Sequence, residues 1–238
     1  MIPKVIHYCW FGRGKMPELA LKCIESWRKY LPDYEIKEWN EDNFDLDLYP
    51  YAREAYDNRK FAFVTDVVRL YALYHEGGVY MDTDVEVLKN LDCFLDLPAF
   101  SGFEDDVHIL TGIMASEKNG EWAKWQLSYY DGKHFVQEDG TLDLTTNVVT
   151  ISTCMAERGF RLQNSLQDFK GIITIYPKDH FCPKSYVDGK IHLTKNSYTI
   201  HHFSGSWKSS KDRYIALLRK CIGNNGVNFL VKIKHLVP

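Results

Sequence analysis

Phe63-Val64-Thr65-Asp66-Val67-Val68-Arg69-Leu70-Tyr71-Ala72-Leu73-Tyr74-His75-Glu76-Gly77-Gly78-Val79-Tyr80-Met81-Asp82-Thr83-Asp84-Val85-Glu86 is the stretch that decides the fold. Phe63, Val67, Leu70, Tyr71 and Tyr74 recur at the spacing of one helical face, and Gly77 stands where a left-handed C-cap belongs. The spacing therefore predicts a helix that stops near Glu76. Gly78 completes the turn, and Val79-Tyr80-Met81 is a short apolar run of the kind found in a strand buried on both faces. Strand side chains alternate, so Asp82 and Asp84 project to one side and Thr83 to the other if the chain stays extended there. Bringing two like charges together is costly, and a hard divalent cation with oxygen ligands, Mg²⁺ or Mn²⁺, removes that cost. A solvated acidic turn is the plainer alternative.

Upstream, Lys4 to Trp10 has the apolar density of a buried first strand, and Phe11-Gly12-Arg13-Gly14 forms a loop at its C-terminal end, where open α/β sheets bind ligands. Met16-Pro17-Glu18 opens a helix whose apolar stripe is Leu21, Ile24, Trp27 and Leu31, and Tyr34 to Trp39 alternates as a strand. Strand, helix and strand at this spacing make a βαβ unit with a right-handed crossover. Residues 40–50 read as a loop or short helical turns and 51–57 as a short helix. Downstream, 87–91 leads away from the acids, and 100–103 and 109–115 read as strands joined by Glu104-Asp105-Asp106, a polar turn in which Glu104 is either solvated or a ligand contact. Helices are expected over 121–130 and 151–158, a strand over 172–176, a loop over 177–185, and a strand from Tyr198 into a small-residue loop. His201 and His202 point opposite ways while that strand persists, so at most one faces the acids.

The chain's 238 residues are 45% apolar and 26% charged, enough for one large domain with a sizeable core. A net charge of -3 gives no basic excess to neutralise phosphates, so nucleic acid is excluded as a partner. Six scattered cysteines without C-x-x-C spacing read as free buried thiols. No signal peptide or long apolar run is present, and a cytoplasmic location is expected. The tail, 213–238, carries Arg213, Arg219, Lys220, Lys232 and Lys234. It reads either as an ordinary terminal helix pair or as a peripheral contact with the anionic inner face of the cytoplasmic membrane.

Thr65-Asp66-Val67-Val68-Arg69 followed by Gly77-Gly78-Val79-Tyr80-Met81-Asp82-Thr83-Asp84 resembles the DXD-containing glycosyltransferases of family 32, the sugar-binding region family. Its site is similar to that of the large clostridial glucosylating toxins. The resemblance is strongest over residues 2–116, thins through the middle and returns at 201–207. It implies a GT-A-like α/β fold, a mixed, mostly parallel sheet flanked by helices, in one domain. Residues 1–116 would be the nucleotide-sugar half, 117–212 the acceptor side with a site-closing loop, and 213–238 a helical tail.

The resemblance also implies roles. Trp10 would stack on a uracil-type base, with core packing as its alternative. Asp66 would hold donor-sugar hydroxyls and Arg69 would contact the sugar or its phosphate, an exposed i, i+3 ion pair on one helical face being their plainer alternative, and Tyr80 would touch the donor or pack in the core. Asp82 and Asp84 would hold Mn²⁺ or Mg²⁺ together with His202, chosen because it stands five before Trp207 in the family's His-to-Trp spacing. Ser206 and Trp207 would close over the diphosphate. Asn147 would reach the donor sugar, although the Gly-Pro that many members carry nearby is replaced here by Thr145-Thr146-Asn147-Val148.

The activity implied is metal-dependent, retaining transfer of a hexose or N-acetylhexosamine from a nucleotide sugar, UDP-linked for preference. The acceptor would be an oligosaccharide or lipid-linked saccharide in bacterial capsular or surface polysaccharide synthesis. No carboxylate stands out as a nucleophile, which favours departure and attack on one face. A calcium loop starting at Asp82 fails, because Val87 replaces the turn glycine and Cys93 the bidentate glutamate. The aspartyl-phosphatase pattern fails at Glu86. A non-catalytic nucleotide-sugar or carbohydrate-binding module is the other function class in play.

Overall fold

The structure, a computed structural model, describes residues 1–205. In chain order its elements are β1 (Val5–Cys9), α1 (Glu18–Tyr30), β2 (Glu35–Trp39), α2 (Pro50–Asp57), α3 (Phe61–His75), β3 (Gly78–Met81), β4 (Val85–Val87), β5 (Ala99–Gly102), β6 (Ile113–Ser116), α4 (Glu121–Ser128), α5 (Asn147–Glu157), β7 (Gln167–Phe169), β8 (Ile173–Tyr176), α6 (Lys178–Phe181) and β9 (Thr199–His201). Seven strands form one sheet in the order β2-β1-β3-β6-β5-β8-β7. β2, β1, β3, β5 and β8 run one way, and β6 and β7 run against them. This is the mixed, mostly parallel sheet with flanking helices expected of the fold class.

Alternation along the central strands divides the interior between two faces. Tyr80 and Met114 join Val64, Val67, Leu70, Trp122 and Ile151 on one side. Val79, Met81, Ile113 and Ala115 join Ile6, Ile24, Trp27 and Phe181 on the other. β3, flanked by β1 and β6, is buried at every residue, as its unbroken apolar run requires.

The helix α3 ends as its sequence dictates. Glu76 is its C-cap, and Gly77 follows with φ +72°, its N–H donating to the Leu73 carbonyl at 3.1 Å, a left-handed cap that glycine adopts without steric cost. Gly78 is fixed by crowding, because a Cβ there would stand 2.6 Å from the Val5 carbonyl oxygen. The apolar face proposed for this helix is only part of what it buries. Val64, Val68, Ala72 and Leu73 are also fully covered. Valines are modest helix formers, and burial of about 1.5–3 kcal/mol per large apolar side chain outweighs that preference.

Other expectations are corrected by packing. α1 buries Ala20, Cys23, Ile24 and Trp27, whereas Leu21 is 48% exposed, because the Trp27 indole turns inward to donate to the Val85 carbonyl at 2.7 Å and fixes the rotation of the helix. Residues 109–112 are not strand, and the 177–185 loop contains α6. β4 does not simply lead away from the acids: it pairs antiparallel with β9, Val85 opposite His201 and Glu86 opposite Ile200. That ribbon brings a segment more than a hundred residues distant to the end of β3.

His7, wholly buried in β1, is held between the Trp39 indole N–H, which donates to Nδ1 at 3.1 Å, and the Gly77 carbonyl 2.7 Å from Nε2. These partners select the neutral Nε2–H tautomer, and burial lowers the pKa of the ring although the Gly77 carbonyl opposes it. Above the ordinary imidazole pKa of about 6.5 both folded and unfolded states hold His7 neutral. As pH falls through that value the unfolded chain takes up a proton that the folded chain refuses, so stability declines by up to about 1.4 kcal/mol per pH unit. Urea unfolding at pH 7.5 and 5.5 should show a larger loss for the wild type than for His7→Gln. Equal losses would contradict the assignment.

Candidate functional site

Two elements fix the acids and the arginine between them. β3 ends at Met81, and Asp82-Thr83-Asp84 is a turn closed by the Val85 N–H donating to the Asp82 carbonyl at 2.9 Å. The extended chain assumed from alternation is thus corrected, since the chain must reverse toward β4. The turn still brings both carboxylates to one point.

Arg69, one helical turn after Asp66 on α3, is buried between them. Its Nη2 lies 3.3 Å from Asp66 Oδ1 and 3.3 Å from Asp82 Oδ1, while Nη1 donates to the Thr111 carbonyl at 2.8 Å. Nε donates to the Thr65 carbonyl at 3.3 Å. Through these contacts Arg69, which the resemblance put on the sugar or its phosphate, also ties the helix to the acid turn. Burial disfavours its charge, but Asp82, Tyr80 and Asp66 more than offset that and hold its pKa above the usual value.

Tyr80 takes the core position that was its alternative to donor contact. Its ring lies in the core under the Arg69 guanidinium, 4.7 Å away, and its hydroxyl donates to Asp82 Oδ1 at 2.6 Å. Burial raises its pKa well above the ordinary phenol range.

The histidine expectation is also corrected. His201 Nε2 lies 3.3 Å from Asp84 Oδ1 and 3.9 Å from Asp82 Oδ2. His202 points the other way, its Nε2 paired with Glu86 Oε2 at 2.8 Å and its N–H donating to the Asp84 carbonyl at 2.9 Å. The alternation is as read from the sequence; pairing Val85 with His201 decides which ring faces the acids. One ligand atom each from Asp82, Asp84 and His201 lie within 4.8 Å of one another, a spacing that fits a divalent cation. Burial pulls the His201 pKa down, but the hydrogen bond to Asp84, the adjacent Cys182 thiol and the Asp82 charge hold it well above the ordinary value. Gly112 leaves room for the imidazole: a Cβ there would stand 3.0 Å from Nδ1. Neither Thr111 nor Gly112 carried a signal beyond an apolar run with one small residue.

Asp66 is influenced by the backbone of Asn147, the first residue of α5, which favours its charged form. Burial pushes its pKa up to about 7; Arg69 and the Asn147 backbone hold it down and Asp82 pushes it further up. Asn147 is buried, its Nδ2 donating to the Tyr130 hydroxyl at 2.9 Å, and its Oδ1 has no hydrogen-bond partner among the described residues. Trp10 lies three residues past His7, the β1 partner of Tyr80, and so on the same sheet end as the acid turn, half-buried, with Nε1 donating to the Gly14 carbonyl at 2.6 Å. Glu104, half-buried, interacts electrostatically with His201 and Asp82; burial is the first cause of its raised pKa. Ser206, Trp207 and the basic tail lie outside the described residues.

This arrangement separates the two histidines experimentally. His201→Ala should weaken Mn²⁺ binding at least tenfold, whereas His202→Ala should change it less than about threefold. Calorimetric Mn²⁺ titration of both variants decides, and a larger effect from His202 would contradict the geometry.

Residues 17–101 match the family described as "Glycosyltransferase sugar-binding region containing DXD motif". Among curated relatives, inositol phosphoceramide mannosyltransferase 2 of Schizosaccharomyces pombe is 33% identical over 120 residues, 49% of this chain and 34% of that protein. Inositol phosphoceramide mannosyltransferase 3 of the same organism is 35% identical over 103 residues, 42% of this chain and 29% of that protein. The chain thus spans about a third of the length of these relatives. Among solved structures, the PaToxG glycosyltransferase covers 66% of this chain and 70% of its own at 18% identity and a TM-score of 0.49. A glycosyltransferase involved in glycosylation of the major capsid of PBCV-1 covers 89% and 97% at 16% identity and a TM-score of 0.46. Asp82 and Asp84, the acid pair of the site, lie inside the segment that is similar to the family of glycosyltransferase sugar-binding regions containing the DXD motif.

Proposed function

We propose that this protein transfers a hexosyl group from a nucleotide sugar to a saccharide or lipid-linked acceptor with retention of configuration. The observation that carries the reading is the convergence of Asp82, Asp84 and His201 at the end of β3, the two acids lying within the family segment. These residues would hold Mn²⁺ or Mg²⁺, the mixed oxygen and nitrogen set suiting Mn²⁺ better, and the ion supplies positive charge against the diphosphate leaving group. Arg69 and Tyr80 keep Asp82 in place. Asp66 and the buried, unpartnered Asn147 Oδ1 are acceptors suited to sugar hydroxyls, and Trp10 offers a ring for the base. In the reaction the bond from the anomeric carbon to the β-phosphate oxygen breaks. The acceptor hydroxyl oxygen bonds to the same face, and its proton passes to the departing phosphate.

The relatives are named for mannosyl transfer to inositol phosphoceramide, which favours a mannosyl donor and a phosphoinositol lipid over the capsular setting. A panel of GDP-mannose and UDP-sugars with Mn²⁺ tests the reading, with nucleoside diphosphate release and the anomeric configuration of the product as readouts. One donor should be turned over, slowly by water and faster with acceptor. Binding of a donor without any release would instead establish the non-catalytic module, and a trapped glycosyl-enzyme adduct would refute same-face attack.

A further inference from the structure

We infer that the hairpin of residues 184–193 docks on an anionic bilayer surface and holds the acid site against it. The hairpin is tightly closed: Lys184 bridges Ile191, the Ser185 N–H donates to the Lys190 carbonyl at 2.8 Å, and the Gly189 N–H donates back to Ser185 at 2.9 Å. Its apolar side chains face outward, with Val187 at the tip 87% exposed, Leu193 57% and Ile191 45%. Single exposed apolar residues are ordinary on protein surfaces, but this many on one short hairpin are not. Exposed Lys190, His192 and Lys195 alternate with them, and Asp188, 3.7 Å from Lys190, is the one acid of the hairpin. Apolar tips among lysines match an interface of acyl chains beneath anionic headgroups.

The hairpin is joined to the site directly. Lys184 Nζ donates to the His202 carbonyl at 2.7 Å, the Tyr186 ring lies 5.3 Å from Phe203, and Phe203 lies 4.2 Å from His201. Docking would therefore bring the acid site to the level of the headgroups. This goes beyond the transferase reading and is measured without the reaction.

The test is co-sedimentation of the full chain with phosphatidylcholine vesicles, with and without phosphatidylserine, for the wild type, Val187→Asp/Leu193→Asp and Lys190→Glu/Lys195→Glu. Circular dichroism confirms that each variant is folded. The wild type should bind the anionic vesicles, the aspartate pair should lose at least about tenfold in affinity, and the glutamate pair should lose about fivefold or more per lysine. No binding by the wild type, or binding unchanged in the aspartate pair, would overturn the inference. A chain that binds vesicles but releases no nucleoside diphosphate would refute the transferase reading alone.

Discussion

Asp84→Asn should lower metal-dependent nucleotide-sugar turnover by about 10³-fold or more. Asp84 lies 3.3 Å from His201 and is one of only three described side chains that converge on a cation position. Substituting an amide for the carboxylate keeps the volume and removes the charge, so the loss falls on the ion and on the diphosphate charge it offsets. Lewis-acid stabilisation of this kind is worth several kcal/mol, and about 4 kcal/mol corresponds to 10³ in rate. The turn itself is held by backbone bonds, Val85 N–H to Asp82 and His202 N–H to Asp84, which the substitution spares. Steady-state release of nucleoside diphosphate at saturating Mn²⁺ is the measurement, and retention of more than a tenth of wild-type turnover would contradict the role.

Arg69→Met should act on the fold instead, costing about 3–5 kcal/mol. Removing one member of a buried charged network leaves its partners desolvated without compensation. Here the orphans would be Asp66, which already titrates near pH 7, and Asp82, together with the Thr111 carbonyl that Arg69 satisfies. A loss of this size is a large share of the roughly 5–15 kcal/mol that holds a domain folded. Arg69→Lys should rescue little, because an ammonium on a flexible stem cannot reproduce a planar fork shared among four acceptors. Combining Arg69→Met with Asp66→Asn should recover part of the loss by removing one orphan. Urea denaturation at pH 7.5 provides the test, and a loss below about 1 kcal/mol would show that the tie is not structural.

The reach of the sequence follows from what is local. The end of α3 at Gly77, the buried run of β3 and the approach of two acids all depend on neighbours in the chain, and all were legible. The geometry of the acid turn was not, because whether the chain continues or reverses after Met81 depends on β4 finding β9. The same pairing chose His201 over His202; sequence alternation shows that the two differ but not which side the partner strand occupies. Asp66 and Arg69 stand three apart and so share a face of α3, but the other partners of Arg69 and Tyr80, Thr111 and Asp82, come from separate elements that only folding brings together. Leu21 failed for a similar reason, since the Trp27 indole bond to Val85 sets the rotation of α1.

The most direct test of the central claim is calorimetric titration of Mn²⁺ into the full chain in the presence of a nucleoside diphosphate, for the wild type, Asp84→Asn and His201→Ala. The site at the end of β3 predicts one ion per chain in the wild type and binding weakened at least tenfold in either variant. Binding of equal strength in all three, or none in the wild type, would contradict it.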